Sequence, residues 1–251
     1  MKKLIIVCLL AALPSFSFAA MKVHLDPANI DLTDKESLQR GAAMFVNYCL
    51  NCHSANFMRY NRMGKDIGLT DKQIKENLLF TGEKVGDPMS VAMTVEDGGK
   101  WFGTPPPDLS VISRAKGSGD DGPDWLYTYL RSFYVDESRP FGVNNTVFSN
   151  VGMPHVLWEL QGMQALTNAA EMEAGAKEHK DVPPVFEIVK VGSMGEEEYD
   201  NAIRDLVNYL AYMGEPAKLE REGMAWYVLI FIAIFTLVAY FMKKEFWKDI
   251  H

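Results

Sequence analysis

A mainly α-helical domain with irregular loops and insertions, followed by one C-terminal transmembrane helix, is the fold class the sequence predicts. Three observations predict it. Leu38, Ala42, Phe45, Val46 and Cys49 recur at helical spacing, and so do Tyr199, Ile203, Leu206, Val207, Leu210 and Met213 much further along. Residues 225–242 then run 18 positions without a charge, enough at ~1.5 Å per residue to cover ~27 Å of hydrocarbon.

Taken in order, residues 1–19 have the layout of an export signal: Lys2 and Lys3, an apolar stretch over 4–13, then small Ser17 and Ala19 before the expected cut. The apolar stretch is too short to span a bilayer comfortably. Cys8 lies inside it and reads as a discarded hydrophobe, because Val7 stands where a lipoprotein site wants a small residue. The predicted domain occupies residues 20–222. Its first helix should open on the capping box Thr33-Asp34-Lys35-Glu36, with Thr33 as N-cap and Glu36 at the third helical position. Its apolar face leads to Cys49. Gly41, one turn before Phe45, would let another helix come close.

The two cysteines left after the signal are Cys49 and Cys52, spaced C-x-x-C, with His53 directly after. An exported protein could pair them as a disulfide, a redox C-x-x-C would not need His53, and a zinc site would want a fourth ligand. C-x-x-C-H is instead the attachment signature of a c-type haem. Two thiols at this spacing reach the two vinyl groups on one porphyrin edge, and the next residue falls under the iron as its proximal ligand. One covalent haem c is therefore expected on Cys49, Cys52 and His53, and with it single-electron transfer.

Residues 101–110, W-F-G-T-P-P-P-D-L-S, read as a stiff pocket wall, because three prolines fix φ and remove donors. Arg114 follows and could pair with haem propionates, or simply sit on the surface. The second axial ligand stays open on spacing alone. Met89, Met93 and Met153 are candidates; Gly152 and Pro154 would hold Met153 in a fixed loop, and His155 is a rival. Residues 196–213 should form the partner helix, opened by three glutamates that suit the helix dipole and closed by Gly214 and Pro216.

The final span, residues 223–243, is bracketed by Trp226 and Tyr227 at one end and by Tyr240, Phe246 and Trp247 at the other. Lys243, Lys244 and Lys248 follow it, which places the tail, residues 244–251, in the cytoplasm and the domain on the periplasmic side. The formal net charge of −8 argues against nucleic acid, which calls for a basic footprint. Glu96, Asp97, Asp120, Asp121 and Asp124 could steer a basic partner or merely be solvated.

Together these motifs resemble the cytochrome c1 family, in its bacterial form. The matching features come in order: Cys-Leu-Asn-Cys-His-Ser at 49–54, Arg59-Tyr60, Pro-Pro-Asp-Leu-Ser at 106–110, Arg114, Val-Gly-Met-Pro at 151–154, Asp-Leu-Val-Asn-Tyr-Leu at 205–210, Glu215-Pro216 and one C-terminal anchor. Residues 164–194 match poorly and read as an insertion hairpin. The resemblance implies a cytochrome c-like haem domain, Met153 as sixth ligand, Arg114 as propionate partner, and Pro107 within the haem pocket. It implies electrons arriving from a Rieske iron–sulfur protein and leaving to a cytochrome c, beside a cytochrome b in the membrane quinol–cytochrome c reductase. No substrate chemistry is expected on this chain itself. A free-standing anchored cytochrome c or an oxidase haem subunit is the alternative, and a haem gas sensor or peroxidase is one of another class.

Overall fold

The computed structural model describes residues 23–117, 121–178 and 180–248. The expected export signal, Cys8 and Asp120 lie outside the described residues.

Helix α1 spans Lys35–Met44 and passes directly into a π-helical turn, Phe45–Cys49. Its N-cap is Asp34, one residue later than the capping box predicts: the Asp34 carboxylate accepts from the Ser37 amide at 3.0 Å. Thr33 is occupied elsewhere, because its amide (2.8 Å) and hydroxyl (2.6 Å) both donate to Asp31 Oδ1. A carboxylate is the stronger acceptor for a helix N-terminus, so Asp34 takes the cap once Asp31 has drawn Thr33 away.

Strand β1 (Ala55–Arg59) pairs antiparallel with β2 (Pro88–Met89), across helices α2 (Tyr60–Ile67) and α3 (Asp71–Asn77). Helix α4, Val95–Phe102, starts at a Thr94 cap and stops at Gly103, whose φ of +77° suits a residue without Cβ. Trp101 and Phe102 are thus the end of a helix, a correction to the wall loop expected from 101 onward. Only from Gly103 does the proline-rich wall begin. The short α5 (Ile112–Ala115) and α6 (Gly122–Arg131) follow, then the antiparallel pair β3 (Phe133–Val135) and β4 (Val143–Asn145).

Helix α7 (Trp158–Gln161) leads into β5 (Gly162–Leu166), which pairs antiparallel with β6 (Phe186–Val191). The expected insertion is therefore a hairpin, with α8 (Ala169–Lys177) in its connection. Helix α9, Glu196–Gly214, buries every residue of its predicted apolar face. It crosses α1 at Gly41, where a Cβ would stand 2.0 Å from the Asp205 carbonyl oxygen. Arg40 grips the Asp205 carboxylate beside the crossing (3.0 Å), and Asn208 Nδ2 donates to the Asp31 carbonyl (2.7 Å) and Ser37 Oγ (2.9 Å). Phe45, Leu50, Ile203, Leu206 and Tyr209, all at or near zero exposure, form the centre of the core around this crossing.

Helix α10, Lys218–Phe246, has a mean hydropathy of 2.3 over its most apolar window, and nothing in that window is buried. Such a helix, apolar all round and bare, is stable in lipid rather than water.

Candidate haem site

An almost wholly apolar cavity of about 360 Å³ lies between the π-helical turn, α6 and α9, and Cys49, Cys52, His53 and Met153 all line it. The geometry begins at the π-helical turn. Leu50 N–H donates to the Phe45 carbonyl at 2.9 Å, the five-residue bond that widens the helix. The next turn closes with Cys52 N–H (3.1 Å) and His53 N–H (2.9 Å) both on the Cys49 carbonyl. Two thiols and an imidazole are thereby carried on one compact bend.

His53 Nδ1–H donates to the Pro107 carbonyl at 2.7 Å. The imidazole then holds its proton on Nδ1 and keeps the Nε2 lone pair for a metal. The carbonyl is fixed in turn. Leu109 N–H donates to the Ser54 carbonyl (2.8 Å), and Asp108 accepts from the Asn56 amide (2.9 Å), Asn56 Nδ2 (2.8 Å) and the Ser110 amide (2.8 Å). Burial would raise Asp108, but these hydrogen bonds outweigh it and hold the carboxyl below its usual range. Burial lowers the His53 pKa against the opposing bond to Pro107, which favours the neutral ring that a ligand needs.

Neither cysteine is in a disulfide. Burial, then the nearby Cys52, pushes the Cys49 thiol up to about 12, and burial also raises Cys52. A redox-active C-x-x-C needs the opposite shift. Among the described residues no three His, Cys, Asp or Glu side chains converge on a bare metal ion, so the zinc reading lacks its ligands.

Met153 sits in a loop held at Asn150, which adopts φ +59°. Arg139 donates to Asn150 Oδ1 (3.1 Å) and its carbonyl (3.0 Å), and the Asn150 amide donates to Asn144 Oδ1 (2.9 Å). The Met153 sulfur accepts from the Tyr129 hydroxyl at 3.4 Å. The other methionines weighed from the sequence do not line this cavity. Met89 is fully buried with its sulfur toward Tyr209 Oη (3.5 Å), and Met93 lies by Gly98. His155 also stays out: its ring stacks on Phe133, with centroids 5.0 Å apart and planes at 4°.

Pro107 lines the cavity, whereas Arg114 is exposed on α5 and does not. Among the described residues the one Lys or Arg in the lining is Lys116, whose ammonium lies 5.0 Å from the Trp125 ring centroid and 5.1 Å from that of Phe148. Sequence reasoning passed over Lys116, and over Trp125 and Tyr129. The spacing of the two aromatics, four apart on α6, was the available signal. Of the acidic residues considered for steering, Glu96 is paired with Lys100 (2.7 Å), Asp97 accepts from the Thr94 hydroxyl (2.7 Å) and Asp124 accepts from the Ala28 amide (2.8 Å), leaving Asp121 the most available of those described.

These residues fit a covalent haem. Two free thiols, an imidazole with its outer nitrogen bonded, a thioether, apolar walls and a single cation for anionic carboxylates share one cavity. Comparison with known proteins agrees. The model of the Cytochrome C1 family matches residues 28–250. A cytochrome c1 of Allochromatium vinosum is 47% identical over 254 residues, covering the whole of both chains. A protein of Nitrosomonas europaea named ammonia monooxygenase gamma subunit is 47% identical over 250 residues, covering all of this chain and 98% of that one. A cytochrome c1 of Rhodospirillum rubrum is 23% identical over 86% of this chain and 83% of its own length. The chain belongs to the cytochrome c1 family, the membrane-anchored electron-transfer proteins of the cytochrome bc1 complex, and carries covalently bound haem c.

Proposed function

We propose that this chain receives single electrons from a Rieske iron–sulfur protein and hands them to a cytochrome c, beside cytochrome b, with His53 and Met153 as the two axial ligands. The observation that carries this reading is the presence of Cys49, Cys52, His53 and Met153 in one apolar cavity, with His53 Nδ1 already committed to Pro107. When bound, the haem supplies a one-electron iron couple. A haem held by His53 and Met153 would favour the reduced state relative to one held by two nitrogen ligands. On this reading the chain fills both ligand positions itself and leaves none for a gas or peroxide. Phe102 and Pro105 add to the apolar lining on the side of the proline-rich wall. Lys116 in the lining, and Arg114 two residues before it, supply positive charge for the propionates. Helix α10 anchors the domain on the periplasmic side, with Lys243, Lys244 and Lys248 in the cytoplasm.

Detergent purification of the full chain should bring down a cytochrome b and an iron–sulfur protein. The oxidised spectrum should carry the methionine–iron charge-transfer band, and Met153→Leu should abolish it. Purification alone, or carbon monoxide binding to the native reduced protein, would overturn the electron-relay reading. Survival of the band in Met153→Leu and its loss in Met89→Leu or Met93→Leu would overturn the ligand.

A further inference from the structure

We infer that Tyr129 is a positioning residue for the Met153 sulfur, donating the hydrogen bond that sets how strongly this thioether binds iron and so how readily the haem is reduced. The inference rests on Met153 being the sixth ligand. It starts from the Tyr129 hydroxyl, which donates to Met153 Sδ at 3.4 Å and, among the described residues, hydrogen-bonds to nothing else. A phenylalanine would fill the same space. What the hydroxyl adds is the bond to sulfur.

The donor cannot drift. Its ring stacks on Trp125 at 4.9 Å and 13°, and meets Phe133 edge-on at 5.2 Å and 66°. Its carbonyl accepts from Asn145 Nδ2 at 2.8 Å. Asn145 lies on β4, the strand that leads into the loop anchored at Asn150, so donor and acceptor belong to one hydrogen-bonded frame.

A thioether sulfur has two lone pairs. One is available to iron, and the Tyr129 proton engages the other, which also selects the face that sulfur turns toward the metal. A donor on sulfur withdraws electron density from it. That loss matters more to ferric than to ferrous iron, so the hydrogen bond favours the reduced state.

Tyr129→Phe in the full detergent-purified protein tests this. The charge-transfer band should persist, because the ligand remains, but at a shifted position. The midpoint potential should fall, lowering the reduced-to-oxidised ratio at a fixed ambient potential about threefold, part of the worth of one neutral hydrogen bond. Replacing Tyr129 by 3-fluorotyrosine, whose more acidic hydroxyl donates more strongly, should move the potential up while leaving the stacking intact. An unchanged band and potential in both variants, with the band still dependent on Met153, would overturn the role of Tyr129 alone. A band that persists in Met153→Leu would instead remove the ligand on which the inference rests.

Discussion

Gly41→Ala probes the contact on which the domain is built. A Cβ at this position would lie 2.0 Å from the Asp205 carbonyl oxygen, and 2.7 Å from both the Asp205 carbonyl carbon and Tyr209 Cβ. None of these atoms sits on a flexible side-chain end, so no rotamer change relieves the clash. Restoring a 3.4 Å contact from 2.0 Å means moving α1 and α9 apart by about 1.4 Å, and gaps of that size forfeit half or more of the dispersion energy across them. Overpacking of this kind costs up to about 3 kcal/mol, and the better helix propensity of alanine returns about 1 kcal/mol, leaving a loss of about 2 kcal/mol. For a domain of this size that is a fall of roughly 4–8 °C in melting temperature. Thermal unfolding of the purified full chain by far-ultraviolet circular dichroism measures it. The π-helical turn carrying Cys49 continues from α1, so the variant should also load haem in lower yield. A melting temperature within about 1 °C of the parent would refute the tight crossing, since even a loss of 1 kcal/mol shifts it by more.

Two further outcomes concern the site and the histidine packed behind it. Lys116→Gln should lower the midpoint potential by an amount on the order of 1 kcal/mol, because it removes the cation that lines the cavity; Arg114→Gln, an exposed position outside the lining, should lower it less. A redox titration of the two variants checks this, and the reverse order would make Arg114 the principal propionate partner. His155→Phe should flatten the acid side of the stability profile. Burial holds His155 neutral in the fold with a pKa lowered to about 4, against about 6.5 in the unfolded chain. As pH falls below about 6.5 the unfolded chain takes up a proton that the folded one refuses, so stability is full above that pH and declines toward pH 4 by about 3 kcal/mol. Phenylalanine keeps the stack on Phe133, and denaturant unfolding between pH 4 and 7 should show the decline in the parent and less of it in the variant.

Much of this was legible without coordinates because it is written in local or strongly periodic signals. Cys49, Cys52 and His53 are four residues apart at most, so one bend of backbone must bring them together. The apolar faces of α1 and α9, and the glycine between them, could be read as a helix pair. Misreadings arose where nearby groups compete for the same partner. Thr33 and Asp34 are both good caps, and Asp31 decided between them by engaging Thr33 first. Trp101 and Phe102 were drawn into α4 by a cap seven residues earlier, which the prolines that follow them obscure.

The sequence by itself determined a haem-binding motif, an apolar anchor with its charge asymmetry, and a helix pair joined at Gly41. Each depends on residues whose relation is set by bonds, by one helical turn or by one stretch of hydrophobicity. Only the tertiary structure decided which distant side chains share the cavity. Met153, one hundred residues beyond His53, reaches it because Arg139 and Asn144 hold the loop at Asn150, while Met89 is taken into the core beneath Tyr209. Lys116 rather than Arg114 lines the wall, and Tyr129 meets the methionine sulfur. Such choices rest on which face of each element turns inward, and that direction is fixed by packing across the whole domain.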